Sequence, residues 1–304
     1  MSEQVIILGA KGRFGRAATL AFHNAGWQVR ALARDWQGEA AVPGIERVAG
    51  DAFDEAVLTD AADNCDVIVN ALNPPYPKWS RDLPRLTTSV IAAAKATGAT
   101  VMIPGNIYNY GADMPPQLSE NTPMVPTTRK GRLRAEMEQA FETAGVPAIV
   151  LRAGDFIERE KTGNWFDSQI TKNLAKGTLM YPGPLDQAHA WAYLPDMAQA
   201  MVGLAEARAT FSTFEAIGFP GFTLTGSELV AVIEQVTGRA MKVKALPWSI
   251  IRILGTFMPQ MREVAEMSYL WHRPHAINGI KMMTALRGFQ ATPIAAALRE
   301  AIAI

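Results

Sequence analysis

Residues 5–15 read Val5-Ile6-Ile7-Leu8-Gly9-Ala10-Lys11-Gly12-Arg13-Phe14-Gly15, an apolar run followed by three glycines spaced three residues apart. The apolar run is typical of a buried strand, and the residues after Gly12 have the periodicity of an amphipathic helix. Glycine at these points lets the backbone turn sharply, lets its N–H groups approach an anion, and lets the helix pack closely on the strand. The stretch therefore predicts a strand–turn–helix unit that binds a diphosphate.

The alternation of strand and helix continues through the first half of the chain. Short β-branched runs predict strands at Val5–Leu8, Gln28–Ala33, Glu46–Ala49, Val67–Asn70, Thr100–Ile103 and Ala148–Arg152. Helical periodicity between them predicts helices at Arg13–Ala25, Asp54–Asp63, Leu83–Thr97 and Thr128–Ala144. Six such alternations in about 150 residues are typical of an α/β fold with a doubly wound parallel sheet of the Rossmann type.

The composition changes after Arg152. Glycine, proline, tryptophan and tyrosine become frequent from Gly154 to Tyr193, and the end of the chain has mostly helical periodicity. We therefore predict a nucleotide-binding domain over residues 1–153 and a smaller α/β lobe for the substrate over residues 154–304. Residues 190–217 are expected to return to the first domain.

The charge balance limits the classes of partner. Lysine plus arginine and aspartate plus glutamate both number 29, so the formal charge is zero. General nucleic-acid or membrane-surface binders carry a basic excess, so neither partner is expected. A balanced total still permits a local basic patch. We expect a monomer or homodimer that acts on a small molecule.

Cysteine usage and hydropathy indicate a cytoplasmic protein. Cys65 is the only cysteine, which excludes an internal disulfide and a thiolate metal cluster and favours a reducing compartment. The chain starts without the pattern of a signal peptide. The longest apolar segment, Trp248 to Met258, is interrupted by Arg252 and Gly255 and is too short to cross a bilayer. His272, Pro274 and His275 are not accompanied by further ligands, and we predict no metal.

The end of the second strand indicates which dinucleotide is bound. Sites specific for NAD usually carry an acidic residue there, which binds the ribose 2′-hydroxyl. Here Arg34 follows the strand instead. Arg34 and Arg13 could clamp a 2′-phosphate through charge-assisted hydrogen bonds, which favours NADP. Alternatively, Asp35 could pair with Arg34.

Other residues expected beside the cofactor follow the third, fourth and fifth strands. Asp51 follows the third strand, where it would lie near the adenine amino group, although an ordinary loop residue is an equally good interpretation. Asn70-Ala71-Leu72-Asn73 ends the fourth strand, beside the expected ribose. The predicted cofactor residues are Gly9, Lys11, Gly12, Arg13, Phe14, Gly15, Arg34, Asp51, Ala71, Asn73 and Asn106.

These motifs together resemble the extended and atypical short-chain dehydrogenases/reductases, a superfamily that includes the NAD-dependent epimerase/dehydratases. The resemblance spans nearly the whole chain. It rests on the glycine turn, Gly50-Asp51, Asn70-Ala71, Leu151-Arg152-Ala153-Gly154, Tyr193–Ala198 and the stretch from Phe214 into Thr225–Gly238.

The resemblance departs at the catalytic pair of the extended members. Those enzymes use Tyr-x-x-x-Lys at the start of the fifth helix and a Ser or Thr at the end of the fifth strand. The register given by Glu136 places Thr128 at the tyrosine position and Arg132 at the lysine position, and Asn106 is nearest the Ser/Thr site. The departure argues against epimerase or dehydratase chemistry.

A second register fits the fifth helix better. Lys130 to Glu138 resembles the helix of isoflavone-reductase-like proteins, whose catalytic lysine opens a Lys-x-x-Ile-Arg-Arg-x-Ile-Glu run. The match holds at Leu133, Arg134, Met137 and Glu138 and departs at Ala135. By position, Lys130 would be that lysine. The nitrogen-metabolite-regulator (NmrA-like) proteins share this subgroup, and some of them bind NADP without turning it over.

The candidates for chemistry are Lys130, Tyr108, Asn106 and Thr128. Lys130 could stabilise or protonate a developing oxyanion, or it could belong to a solvated basic helix start. Tyr108, like Tyr110, could replace the missing tyrosine or could form a pocket wall. Asn106, Tyr108 and Thr128 would position the substrate.

Three functions are compatible with this pattern. We prefer an NADP(H)-dependent oxidoreductase that reduces a carbonyl or a conjugated double bond of a small organic substrate. The alternatives are a nucleotide-sugar epimerase/dehydratase-like enzyme and a non-catalytic regulatory protein that senses NADP(H).

Overall fold

The computed structural model describes residues 2–302 of the 304-residue chain. Its strands are β1 (Gln4–Leu8), β2 (Gln28–Ala33), β3 (Ile45–Ala49), β4 (Val67–Asn70), β5 (Thr100–Gly105), β6 (Gln117–Leu118), β7 (Ala148–Arg152), β8 (Asp155–Ile157), β9 (Thr178–Tyr181), β10 (Ala188–Tyr193), β11 (Phe214–Gly218), β12 (Phe222–Thr225), β13 (Lys242–Ala245) and β14 (Ala276–Ile277). Its helices are α1 (Arg13–Asn24), α2 (Glu55–Ala61), α3 (Trp79–Thr97), α4 (Arg129–Ala144), α5 (Leu194–Glu206), α6 (Gly226–Thr237), α7 (Trp248–Gly255), α8 (Pro259–Glu266), α9 (Ile280–Ala285) and α10 (Ile294–Ala301).

The largest sheet has seven strands in the order β3-β2-β1-β4-β5-β7-β11, and every neighbouring pair is parallel. The chain runs outward in both directions from β1, so the strand order reverses between β1 and β4. Ligands of open α/β sheets bind in the crevice at the carboxyl ends of the strands at such a point. The prediction of a doubly wound Rossmann sheet is confirmed.

Alternating strand residues build the two layers of core. Val5 and Ile7 pack against α1 and α5 on one face, whereas Ile6 and Leu8 pack against α2, α3 and α4 on the other. Successive side chains of a strand point to opposite faces, and a sheet covered by helices on both sides needs apolar residues at every position. The uninterrupted apolar run of β1 satisfies that requirement.

The second half of the chain is divided between this sheet and a smaller lobe. After β10, the chain enters α5 and then β11, which pairs with β7 at the edge of the large sheet. The remaining strands form three small sheets, in the orders β12-β10-β8, β13-β9 and β14-β6. No helix among residues 2–302 combines the length and the hydropathy that crossing a bilayer requires.

Several predicted element boundaries differ from the structure by a residue or more, and two of the differences have a tertiary cause. Helix α3 begins at Trp79 rather than at Leu83, and Pro84 lies inside it. The Trp79 indole donates a hydrogen bond to the Pro74 carbonyl oxygen at 2.8 Å, which anchors the earlier start. Strand β5 continues beyond Ile103 to Gly105 because Gly105 pairs with Arg152 of β7.

Candidate functional site

The turn between β1 and α1 requires glycine at two of its three positions. Gly9 has φ of +72°, in the left-handed region, and the Gly12 N–H donates to the Gly9 carbonyl at 2.8 Å. A Cβ atom at Gly15 would lie 2.2 Å from the Gly9 carbonyl oxygen. Only glycine therefore lets helix α1 approach the turn this closely.

The turn lies at the switch point of the sheet, against the end of β4. A Cβ atom at Gly9 would lie 3.1 Å from the Ala71 carbonyl oxygen. Gly12 is the N-cap of α1 and has no side chain to bond the first-turn N–H groups, which leaves them to an external anion. Phe14 is buried in the core, so only its backbone N–H can serve such an anion.

Arg13 is held by a segment from the second half of the chain. Its Nε atom lies 2.6 Å from the Thr162 hydroxyl and 2.8 Å from the Glu158 carboxylate, and Nη2 donates to the Thr162 carbonyl at 3.1 Å. The structure therefore does not pair Arg13 with Arg34 as the expected clamp. The guanidinium instead ties residues 158–162 to the start of α1.

The Lys11 side chain reaches from the glycine turn to the residues that follow β2. Its ammonium lies 3.1 Å from the Asp35 carboxylate and 3.4 Å from the Gln37 carbonyl oxygen. The hydrogen bond from Lys11 holds the pKa of the Asp35 carboxyl below its usual value. Asp35 therefore makes its ion pair with Lys11, whereas Arg34 acts on this carboxylate only as a nearby charge. The cations at this end of the crevice are Lys11 and the exposed Arg34.

Asp51 and Asn73 follow neighbouring strands and make different contacts. The exposed Asp51 carboxylate accepts a hydrogen bond from the Phe53 N–H at 3.1 Å, which closes a local turn. The Asn73 side-chain oxygen accepts from Arg134 at 3.1 Å, and the Arg134 guanidinium lies 4.5 Å from the centre of the Trp79 ring. Asn73 thus connects the end of β4 to α4.

Asn106 and Tyr108 form the loop after β5. The Asn106 side-chain oxygen accepts from the Tyr108 N–H at 3.0 Å, and its backbone carbonyl accepts from Arg152 at 2.6 Å. Burial first, and then the neighbouring Tyr76 and Asp155, raise the pKa of the Tyr108 hydroxyl well above its usual range. This phenol therefore stays protonated and can donate a hydrogen bond.

Tyr110 has different contacts from those of Tyr108. Its ring packs under the Arg152 guanidinium, with 5.2 Å from the guanidinium carbon to the ring centre, and its hydroxyl donates to the Ser119 carbonyl at 3.3 Å. Arg152 in turn bonds Glu138 at 2.6 Å, and both side chains are buried. Tyr110 is therefore part of a structural network below the loop.

Thr128 and Lys130 begin α4. The Thr128 hydroxyl accepts the Gly131 N–H at 3.1 Å and caps the helix. The Lys130 ammonium is fully buried and donates to the Glu263 carbonyl at 2.8 Å and to the carboxylates of Glu263 and Glu266, each at 2.6 Å. The interpretation of Lys130 as part of a solvated helix start is wrong.

The three acceptors account for the three protons of the Lys130 ammonium. Burial alone would raise the pKa of the Glu266 carboxyl, but the hydrogen bond and charge of Lys130, together with the backbone N–H groups of Arg129 and Lys130, outweigh it and leave that pKa lowered. Glu263 also pairs with Arg129. In this arrangement Lys130 joins α4 to α8, and a role in catalysis stays a prediction.

The sequence did not predict two sets of ion-pair partners in this region. The first is the pair of carboxylates that binds Lys130. Glu263 and Glu266 lie one helical turn apart, so their spacing shows that they share a helix face but not which residue that face contacts. His189 on β10 lies 2.9 Å from the Asp155 carboxylate on β8, a contact that no sequence motif predicted. Within residues 2–302, no three His, Cys, Asp or Glu side chains are placed to hold a metal ion.

A comparison with family models decides the affiliation of the chain. The model of the NmrA-like family matches residues 1–287. The chain belongs to the NmrA-like family. This agrees with the resemblance that the glycine turn and the fifth helix indicated. A comparison with curated protein sequences finds no match.

Solved structures with a similar fold can be aligned with nearly the whole of this NmrA-like chain. A putative epimerase from Burkholderia cenocepacia has a TM-score of 0.79 at 16% identity, covering 99% of this chain and 97% of its own. A dTDP-glucose 4,6-dehydratase from Bacillus anthracis, in complex with NAD, has a TM-score of 0.77 at 15% identity, covering 99% and 96%. The Bordetella bronchiseptica enzyme WbmH, in complex with NAD+, has a TM-score of 0.76 at 15% identity, covering 100% and 98%. The NmrA-like chain thus has the fold of the epimerase/dehydratase group.

Proposed function

We propose that the protein binds NADP(H) and uses it to reduce a carbonyl or a conjugated double bond of a small organic substrate. The observation that carries the proposal is the glycine turn, where the absence of a Cβ atom at Gly15 lets α1 begin directly against the backbone of Gly9. The turn lies at the switch point of the sheet, and the first-turn N–H groups of α1 face the crevice. Similar structures that hold NAD support the same mode of binding.

The preference for NADP(H) rests on Lys11 and Arg34. Arg34 directly follows β2, and Lys11 reaches from the glycine turn to Asp35, so both cations lie near the end of β2. The adenosine ribose lies at this end of the strand in this fold. A 2′-phosphate would accept charge-assisted hydrogen bonds from both cations. The neutral ribose hydroxyl of NAD brings no negative charge, so Asp35 would be the anion beside the two cations. Arg13 is not assigned to this group, because Glu158 and Thr162 already bind it.

Tyr108 is the proposed hydrogen-bond donor to the substrate. The bound cofactor would supply the hydride. The Tyr108 hydroxyl, which its raised pKa keeps protonated, would donate a hydrogen bond to the substrate oxygen and stabilise the negative charge that develops there, and solvent water would supply the proton that completes the reduction. Asn106 fixes the loop through the Tyr108 N–H. Lys130 would act only indirectly, by holding α8 on α4.

The test is steady-state oxidation of NADPH by purified protein across a panel of aldehydes, ketones and enones, with NADH run in parallel. We expect turnover on at least one class of substrate and a preference for NADPH. Calorimetry with both nucleotides measures binding separately. Binding of neither nucleotide would contradict the whole proposal, including the assignment of the glycine turn.

A redox-sensing function is the second candidate, and the ion pairs of Lys130 favour it. A lysine with all three protons engaged is not free to serve chemistry, and the usual tyrosine–lysine pair is missing from the sequence. Tight binding of NADP(H) with no turnover on the panel would favour the sensor over the reductase.

A further inference from the structure

Helix α7 is apolar on two faces, although only one of them is covered. Trp248, Ile251 and Gly255 face the protein and are buried. A Cβ atom at Gly255 would lie 3.1 Å from the Arg262 backbone, so α7 packs tightly on α8. A helix that is apolar all round normally lies inside a core or a membrane. The second face of α7 therefore needs an explanation.

That second face forms an exposed patch with the short connection to α8. Ile253 is 64% exposed and Phe257 is 83% exposed. We call this surface the α7–α8 patch, and its members are Ile250, Ile253, Leu254, Phe257 and Met258. The spacing of residues 250, 253 and 254 places them on one side of α7, and Phe257 and Met258 follow in the connection to α8. Contiguous exposed apolar surface of this kind marks an interaction site.

The charged residues in the segment from Lys242 to Arg262, which carries the patch, are all of one sign. The exposed cations of this segment are Lys242, Lys244, Arg252 and Arg262. The sequence contains no Asp or Glu from Lys242 to Arg262, although the whole chain has equal numbers of acids and bases. The next acid, Glu263, is buried against Lys130 and Arg129. The zero net charge of the whole chain, from which we predicted no membrane-surface partner, is therefore an average that includes one cationic segment with apolar residues at its centre.

We propose that the α7–α8 patch docks the protein peripherally on an anionic lipid surface. Apolar side chains with Lys and Arg beside them match the two parts of such a surface, acyl chains below and acidic headgroups above. Phe257, at the turn between the helices, inserts with Ile253, and Arg252 and Arg262 bind headgroups. A second copy of the chain fits less well, because patch-to-patch contact would bring two sets of cations together.

The experiment is vesicle flotation of the full-length protein. We expect it to float with vesicles of phosphatidylcholine plus phosphatidylglycerol, and to stay in solution with pure phosphatidylcholine. The double variant Ile253→Ser/Phe257→Ser should bind anionic vesicles at least about tenfold more weakly, since two apolar side chains no longer leave water. Raising the salt concentration should also release the wild-type protein.

Two further variants keep the result interpretable. Ile280→Ser removes an aliphatic side chain of similar exposure, 72%, from α9 and should leave flotation unchanged. Arg252→Gln/Arg262→Gln should weaken flotation while retaining the wild-type unfolding midpoint, so the proposal stays testable if the serine variant is unstable. Failure of the wild-type protein to float with anionic vesicles overturns the proposal. A wild-type dimer that the serine variant converts to a monomer, with no flotation of either, also overturns it and assigns the patch to self-association.

Discussion

The Lys130 ammonium lies 2.6 Å from the Glu263 carboxylate, and both side chains are buried where α4 meets α8. Buried ion pairs of this kind are costly to break, because the remaining partner keeps its charge without compensation. The lysine that the fifth-helix register assigned to catalysis therefore has a clear structural task. Stability and turnover measured on the same variant separate the two roles.

Replacing Lys130 with Met should lower the free energy of unfolding by up to about 3–5 kcal/mol, since Glu263 and Glu266 would lose their buried cation and Glu263 would keep only Arg129. Urea denaturation followed by fluorescence measures this change. The control is Lys95→Met, at an exposed position on α3, where we expect a change within about 0.5 kcal/mol. A Lys130→Met protein with wild-type stability and bound NADPH but no turnover would instead support direct catalysis.

Replacing Arg34 with Gln should weaken NADPH binding by about tenfold or more and leave NADH binding nearly unchanged. The physical reason is the loss of a charge-assisted hydrogen bond that only a 2′-phosphate can accept. Calorimetric titration with each nucleotide gives the two dissociation constants. Arg13→Gln is the matched control, and it should affect both nucleotides alike because Arg13 binds Glu158 and Thr162. Equal losses in the Arg34 variant would remove this residue from the selection of NADP.

Replacing Tyr108 with Phe should lower turnover by about 100-fold or more with little change in NADPH affinity, because the hydroxyl that stabilises the developing oxyanion is lost and the ring remains. Rates on the best substrate of the panel measure the effect. The control is Tyr110→Phe, which removes the hydroxyl that bonds the Ser119 carbonyl and should leave turnover intact. Full activity in the Tyr108 variant would remove this hydroxyl from the reaction.

The stability of the protein should fall on acidification below about pH 6.5 because of His275. Burial, and then the neighbouring His189, lower the pKa of His275 from 6.5 to about 3. Between these values the unfolded chain binds a proton that the folded protein does not, so the free energy of unfolding decreases as pH falls. The decrease is at most about 1.4 kcal/mol per pH unit.

The variant His275→Gln should show a shallower decline, since glutamine does not titrate. Urea titrations at several pH values between neutral and mildly acidic give the slopes. His272→Gln serves as the control, because His272 is exposed and should leave the slope as in the wild-type protein. Identical slopes in all three proteins would show that His275 does not govern this range.

Most of the Rossmann sheet could be predicted from the amino-acid sequence alone. Strands Gln28–Ala33, Val67–Asn70 and Ala148–Arg152 have the predicted bounds, and the glycine turn follows β1 as expected. These features depend on local causes: alternation of side chains along a strand, helical periodicity, and the steric need for glycine where α1 approaches the turn. Each cause acts between residues that are close in sequence, so its effect can be predicted from the sequence.

The partners of the charged side chains could not be predicted in this way. Lys130 pairs with Glu263 and Glu266, and Arg13 pairs with Glu158, across long stretches of chain. Lys11, rather than Arg34, bonds Asp35. Such pairing depends on how distant elements pack, because Coulomb energy varies with distance and burial rather than with position in the sequence. The sequence therefore located the crevice, whereas packing of α8 and of residues 158–162 determined which cations remain to bind a ligand there.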